Sequence, residues 1–180
     1  MQNKATSLLF LWLILFSIAS LWTATASIIF SSSFSQFIFM TLSAIGYGSF
    51  IGVIIMEMDE NDGMTGLKAA TLTTAAMFIL VFVSGINFAN LFFVSIIVSL
   101  ILILIIWELS VLVRGISRGV QKIKAVVAII IFSLSLLASI SMVNVSSDQG
   151  LNDWNTAIDL AFSIYLDIIN LILRFLEAMG

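Results

Sequence analysis

Six polar residues near the end of the chain, Asn155, Asp159, Ser163, Asp167, Asn170 and Arg174, follow one another at steps of four, four, four, three and four. Residues three and four apart sit above one another on a helix, so the spacing predicts a polar stripe along one face. The rest of the segment, from Leu160 and Phe162 to Leu173 and Phe175, is apolar enough to sit in lipid. Asp167 falls near the middle of such a helix. An acid there costs roughly 2.5–3.5 kcal/mol on insertion scales and ordinarily faces a bundle interior or a watery cavity. The chemistry this pattern supports is ion or proton conduction. Asp167 is the central titratable group and the candidate calcium ligand, and Asp159 lies two turns toward the outer mouth. Asn155, Ser163 and Asn170 are polar steps along the seam, and Arg174 lies two turns toward the inside. A structural alternative stands beside this reading: Asp167 hydrogen-bonds serines of neighbouring helices while Arg174 snorkels to the inner headgroups.

The elements that must position this stripe follow from composition. The 180 residues are 61% hydrophobic and 9% charged, with a mean hydropathy of +1.21. Ordinary soluble domains are nearer a quarter charged. An all-α integral membrane protein is expected, a polytopic helical bundle forming one domain over residues 1–180. Cysteine and histidine are absent, which removes disulfides, thiolate or imidazole metal sites and the usual nucleophile–base pairs. No resident cofactor is expected. Proline is absent too, so helix breaks must come from Gly, Ser or Thr. The seven basic residues are too scattered for a nucleic-acid surface.

Apolar runs able to span about 30 Å of hydrocarbon at 1.5 Å per residue fall at 7–30, 37–56, 69–86, 89–113, 125–145 and 156–179. These predict six transmembrane helices, the third rich in Ala and Thr and suited to close helix contact. With the amino terminus in the cytoplasm, Lys4, Lys68, Arg114, Arg118, Lys122, Lys124 and Arg174 all lie at or near the cytoplasmic side. The positive-inside rule therefore places both termini there, in a plasma or inner membrane. Trp107 and Trp154 fall near opposite boundaries, as aromatic belts require. Lys4 followed by an apolar stretch and Ala24-Thr25-Ala26 resembles a secretory signal. The apolar run continues through Ile28, Ile29 and Phe30, so a retained span is expected.

Three other segments hold candidate chemistry. Ala44, Gly48 and Gly52 place a small residue at every fourth position, a pattern for close helix packing or, alternatively, a hinge beside a pore. The run Glu57-Met58-Asp59-Glu60-Asn61-Asp62-Gly63 is acidic but fails as an EF-hand: the sixth and twelfth positions want Gly and Glu, and hold Asp62 and Lys68. A solvated turn is expected there. The basic turn from Arg114 to Lys124 is read as a topology determinant and an anchor for anionic headgroups, with Glu108 pairing locally nearby.

The run Ser163-Ile164-Tyr165-Leu166-Asp167-Ile168-Ile169-Asn170-Leu171-Ile172-Leu173-Arg174 resembles the last transmembrane helix of the Bax inhibitor-1 family. Tyr165, Leu166, Asp167, Ile169, Asn170 and Leu171 match that helix in register. Gly46 to Gly52, Ala69 to Phe78 and Phe132-Ser133-Leu134 are similar to upstream family segments in the right order. The resemblance implies a helical bundle around a pathway that leaks calcium or exchanges it for protons, gated by two aspartates on the last two helices. Asp167 matches one of them. The other has no counterpart here, since Ser139 stands at its position, and six spans replace the family's seven.

Together these readings give a small membrane protein with an ion pathway for calcium or protons, gated by Asp167. Protonation would remove a buried charge and let the last helix pack closed, whereas calcium would favour the ionised, open form. The alternative is a non-transporting subunit of a larger membrane complex, its stripe docked on other membrane subunits. An enzyme is not expected, because no second membrane-centred acid accompanies Asp167. Partners are lipid and the transported ion.

Overall fold

The computed structural model describes residues 33–114, 117–151 and 153–180, so the predicted span 7–30 lies outside the described residues. These form five helices: α1 (Ser33–Glu57), α2 (Glu60–Ser84), α3 (Leu91–Arg114), α4 (Arg118–Asp148) and α5 (Trp154–Met179). No strand occurs among the described residues. The fold is all-α, and each helix is long and apolar enough to cross a bilayer. The chain divides into two compact units, one running to Val53 and one comprising Ile54–Gly180. The second contains α2 to α5 and every polar cluster described below.

Helix ends reach beyond the apolar runs because backbone hydrogen bonding continues where hydropathy stops. Helix α2 begins at Glu60 rather than near residue 69. The acidic stretch 57–63 holds the expected turn at Met58 and Asp59, with its acids exposed, and its second half is already helix. Asp59 is the N-cap, its carboxylate accepting from the Asn61 amide at 3.0 Å, and Glu60 and Asp62 occupy the positive end of the dipole. Helix α4 begins at Arg118 rather than near residue 125, so Lys122 and Lys124 are helical. Asp153 caps α5, accepting from the Thr156 amide at 3.0 Å and the Thr156 hydroxyl at 2.6 Å. That second bond, with the first, holds the Asp153 carboxyl below the usual carboxylate range.

Helix α4 is the hub: it packs against α2, α3 and α5, and α2 also packs against α5. Val81, Leu104, Ala128, Ile131, Phe132, Leu136, Leu137, Ile140 and Leu171 form the shared core. The outer faces carry exposed Ile79, Phe82, Phe92, Ile103, Ile106, Ile123 and Ile130. Such faces suit hydrocarbon and not water. The chain spans a membrane.

Gly63, Gly66 and Ala70 are buried along α2. A Cβ on Gly66 would stand 3.0 Å from Leu176 Cδ2, 3.4 Å from its backbone nitrogen and 3.5 Å from its Cα. The start of α2 therefore lies against the end of α5, backbone to backbone. The expected contact stripe of Ala44, Gly48 and Gly52 lies on α1. Among the described residues nothing lies within 4 Å of a Cβ built at Gly48 or Gly52.

Candidate functional site

Helices α4 and α5 run antiparallel, joined by the short connection around Gly150, whose φ of 73° turns the chain. Their register brings Ser139 level with Ser163 and Lys124 level with Glu177. Ser135 and Ser139, four apart on α4, share one face and meet Asp167 on α5. Ser135 Oγ donates to Asp167 Oδ1 at 2.8 Å, and Ser139 Oγ donates to Oδ2 at 2.6 Å. Ser139 and Ser163 share a further hydroxyl contact at 3.1 Å. Asp167 is 7% exposed. Each carboxylate oxygen thus has a hydroxyl partner, and no Lys or Arg reaches it among the described residues.

The structure divides the polar stripe. A step of 3.6 residues per turn puts Ser163 about 40° from Asp167 around α5, Asp159 about 80° and Asn155 about 120°. Only Ser163 joins the Asp167 cluster. Asp159 and Asn155 are exposed near the start of the helix. Asn170, about 60° off, donates to the Leu166 carbonyl of its own helix at 2.9 Å. Arg174 returns to the Asp167 face but joins a different cluster.

That second cluster ties three helices. Lys124 Nζ lies 2.7 Å from Glu177 Oε1 and 3.7 Å from Glu108 Oε1. Arg174 binds Glu108 through Nη2, and Glu177 Oε2 through Nη1 at 2.7 Å. Its guanidinium also stands 5.9 Å from the Phe132 ring centroid. Lys124 is buried at 7% exposure, which corrects its reading as a headgroup anchor. Arg174 does not snorkel freely, and Glu108 pairs across helices rather than within its own turn. The quartet was missed from sequence. Its signal was four charges, Glu108, Lys124, Arg174 and Glu177, set at the ends of otherwise apolar helices, where lone charges are costly and pairing is the usual remedy.

At the opposite end of α4, a cleft of about 350 Å³ is lined by Asn87, Ser141, Asn144 and Asp148 among others. Ser141 Oγ accepts from the Phe88 amide at 3.0 Å, tying the α2–α3 connection to α4. No group of three or more acids, His or Cys able to hold a metal occurs among the described residues. For calcium at Asp167, the side chains that hydrogen-bond it are serines.

No family model, curated protein or solved structure matches the chain.

Proposed function

We propose that the chain is a small ion pathway through a membrane, with Asp167 as the group that binds the moving charge. The observation that carries this reading is a buried carboxylate satisfied by hydroxyls alone, in a bundle whose nearby cations are held by other acids. The same serine bonds would serve a purely structural carboxylate; what favours a pathway is that this acid has no basic partner among the described residues, whereas the quartet's acids do. Ser and Asp can each gain or lose a proton bond without rebuilding the backbone, which suits a site that changes occupancy.

The Bax inhibitor-1 resemblance supports the same reading. Ser139, which stands at the position of that family's second gating aspartate, is 2.6 Å from Asp167. On the resemblance the carried ions are calcium or protons. One like-charged partner is missing, so the gate here titrates as a single carboxylate rather than a coupled pair. The protein is non-enzymatic on this proposal. Both termini face the cytoplasm of a plasma or inner membrane, which places the quartet at the cytoplasmic end and the Asn87–Asp148 cleft at the outer end. The competing role, a subunit docked through the stripe on other membrane proteins, calls for Asp167 on an outer face. Its turn toward α4 favours the pathway.

Reconstitution in liposomes with internal calcium- and pH-sensitive dyes tests the proposal. Wild-type vesicles pass ions and Asp167→Asn vesicles do not; equal fluxes end it.

A further inference from the structure

The charge balance around Asp167 narrows what this site accepts, on the reading that Asp167 binds the moving ion. Over residues 69–84 of α2, 125–147 of α4 and 160–173 of α5, Asp167 is the only charged residue. Tyr165, the other ionisable side chain in those stretches, lies about 160° around α5 from it. Lys124 and Arg174 are engaged with Glu108 and Glu177. The ionised carboxylate therefore holds one negative charge that no side chain balances among the described residues.

By helix rise, one more hydroxyl, that of Thr74, comes at about the same height along the bundle. Thr74 Oγ1 is shielded from solvent and has no hydrogen-bond partner among the described residues. Thr71, on the same helix, donates to the Leu67 carbonyl at 2.9 Å; Thr74 forgoes that usual bond. Gly66 against Leu176 fixes the register of α2 on α5. From that crossing Thr74 is about 12 Å along α2 and Asp167 about 13.5 Å along α5, in the same direction. Thr74 also lies on the buried Gly66–Ala70–Val81 side of α2, which faces α4 and α5. A buried hydroxyl without a partner calls for an explanation, and an unseen ion or water is one.

We propose that Asp167, Ser135, Ser139 and Thr74 form a site for one small monovalent cation coordinated by oxygen, in competition with a proton. A single positive charge balances the carboxylate. A divalent ion leaves a net positive charge in an apolar bundle, which is heavily penalised. Calcium also takes about six to eight oxygens, whereas these four side chains supply at most five, two from the carboxylate and three from hydroxyls; Ser163 is exposed and meets Ser139 rather than Asp167. Hard alkali ions accept such a set. The serines adapt, donating to the carboxylate when the site is empty and turning lone pairs to the cation when it is filled. Binding is an exchange: the protonated acid releases H⁺ as Na⁺ or Li⁺ enters beside the carboxylate, so charge is conserved.

Full-length protein in weakly buffered detergent, with a pH-indicating dye, reads this exchange directly. Saturable proton release is expected on adding NaCl or LiCl, and none on adding choline chloride. Asp167→Asn releases none. Thr74→Val requires about tenfold more salt, and Thr74→Ser restores the wild-type midpoint. Release driven by CaCl₂ at lower concentration than by NaCl overturns the proposal. So does absent release with every alkali chloride, undiminished release from Asp167→Asn, or an unshifted midpoint in a Thr74→Val protein that retains wild-type helicity. Vesicle flux separates the two claims. Flux lost in Asp167→Asn without proton release removes the monovalent site and leaves the pathway; proton release without flux does the reverse.

Discussion

Two polar clusters share helix α5, about 10 Å apart along its axis, and they handle charge in an apolar bundle in opposite ways. Around Arg174, two acids and two bases close on one another across α3, α4 and α5. Around Asp167, one acid meets only hydroxyls. Between them lie Leu171 and Ala128, both at 0% exposure, and Phe132 at 8%. The first cluster is complete without a ligand. The second is satisfied as a set of hydrogen bonds but not as a charge, and the proposed ion site rests on this imbalance.

Neutralising each cluster in turn should have the largest effects. Asp167→Asn should lower ion flux at least about tenfold, the loss expected when one essential charged contact is removed, and leave melting temperature in detergent unchanged or higher. Arg174→Met should do the reverse. Removing one base of a largely buried ion group leaves Glu108 and Glu177 sharing Lys124 alone, and with Arg174 17% exposed a loss of about 2 kcal/mol in stability is expected. Flux per folded molecule should survive. Replacing Lys124 and Glu177 together with Met and Leu should cost less than either change alone, which a double-mutant thermal-melt cycle measures.

Smaller effects sharpen the packing side. Gly66→Val should destabilise by about 1–3 kcal/mol through overpacking against the Leu176 backbone. An unchanged melting temperature in Gly66→Val would contradict the α2–α5 crossing. Smallest is the Asp153 cap. Its folded carboxyl is held below the usual range by Thr156, so its contribution is present above the unfolded-state value and disappears as pH falls through the folded one. Asp153→Asn should therefore remove that contribution at neutral pH, make no difference at acid pH, and so flatten the acid side of the stability–pH curve.

The helices from α1 to α5 were legible in the sequence because uninterrupted apolar runs of membrane length have few alternatives. Their ends were not. Glu60 to Lys68 and Arg118 to Lys124 continue helices on polar residues, which hydropathy reads as loops. The stripe was legible as a set of residues but not as a site. Its steps average more than 3.6 residues, so Asn155 and Asp159 swing away from the face that carries Asp167. Ser135 and Ser139 look like ordinary serines until a second helix brings them to a carboxylate. Lys124 looks like a topology signal until Glu177, far along the chain, reaches it. Both clusters depend on the antiparallel register of α4 and α5, which no single segment encodes.

Infrared difference spectroscopy of the full-length protein, stepping pH with and without Na⁺, tests the contrast between the clusters most directly. One carboxyl band that gains and loses its proton and shifts with Na⁺ is expected, present in the wild type and in Arg174→Met and missing in Asp167→Asn. A spectrum in which Asp167→Asn keeps every titrating carboxyl band would contradict the account.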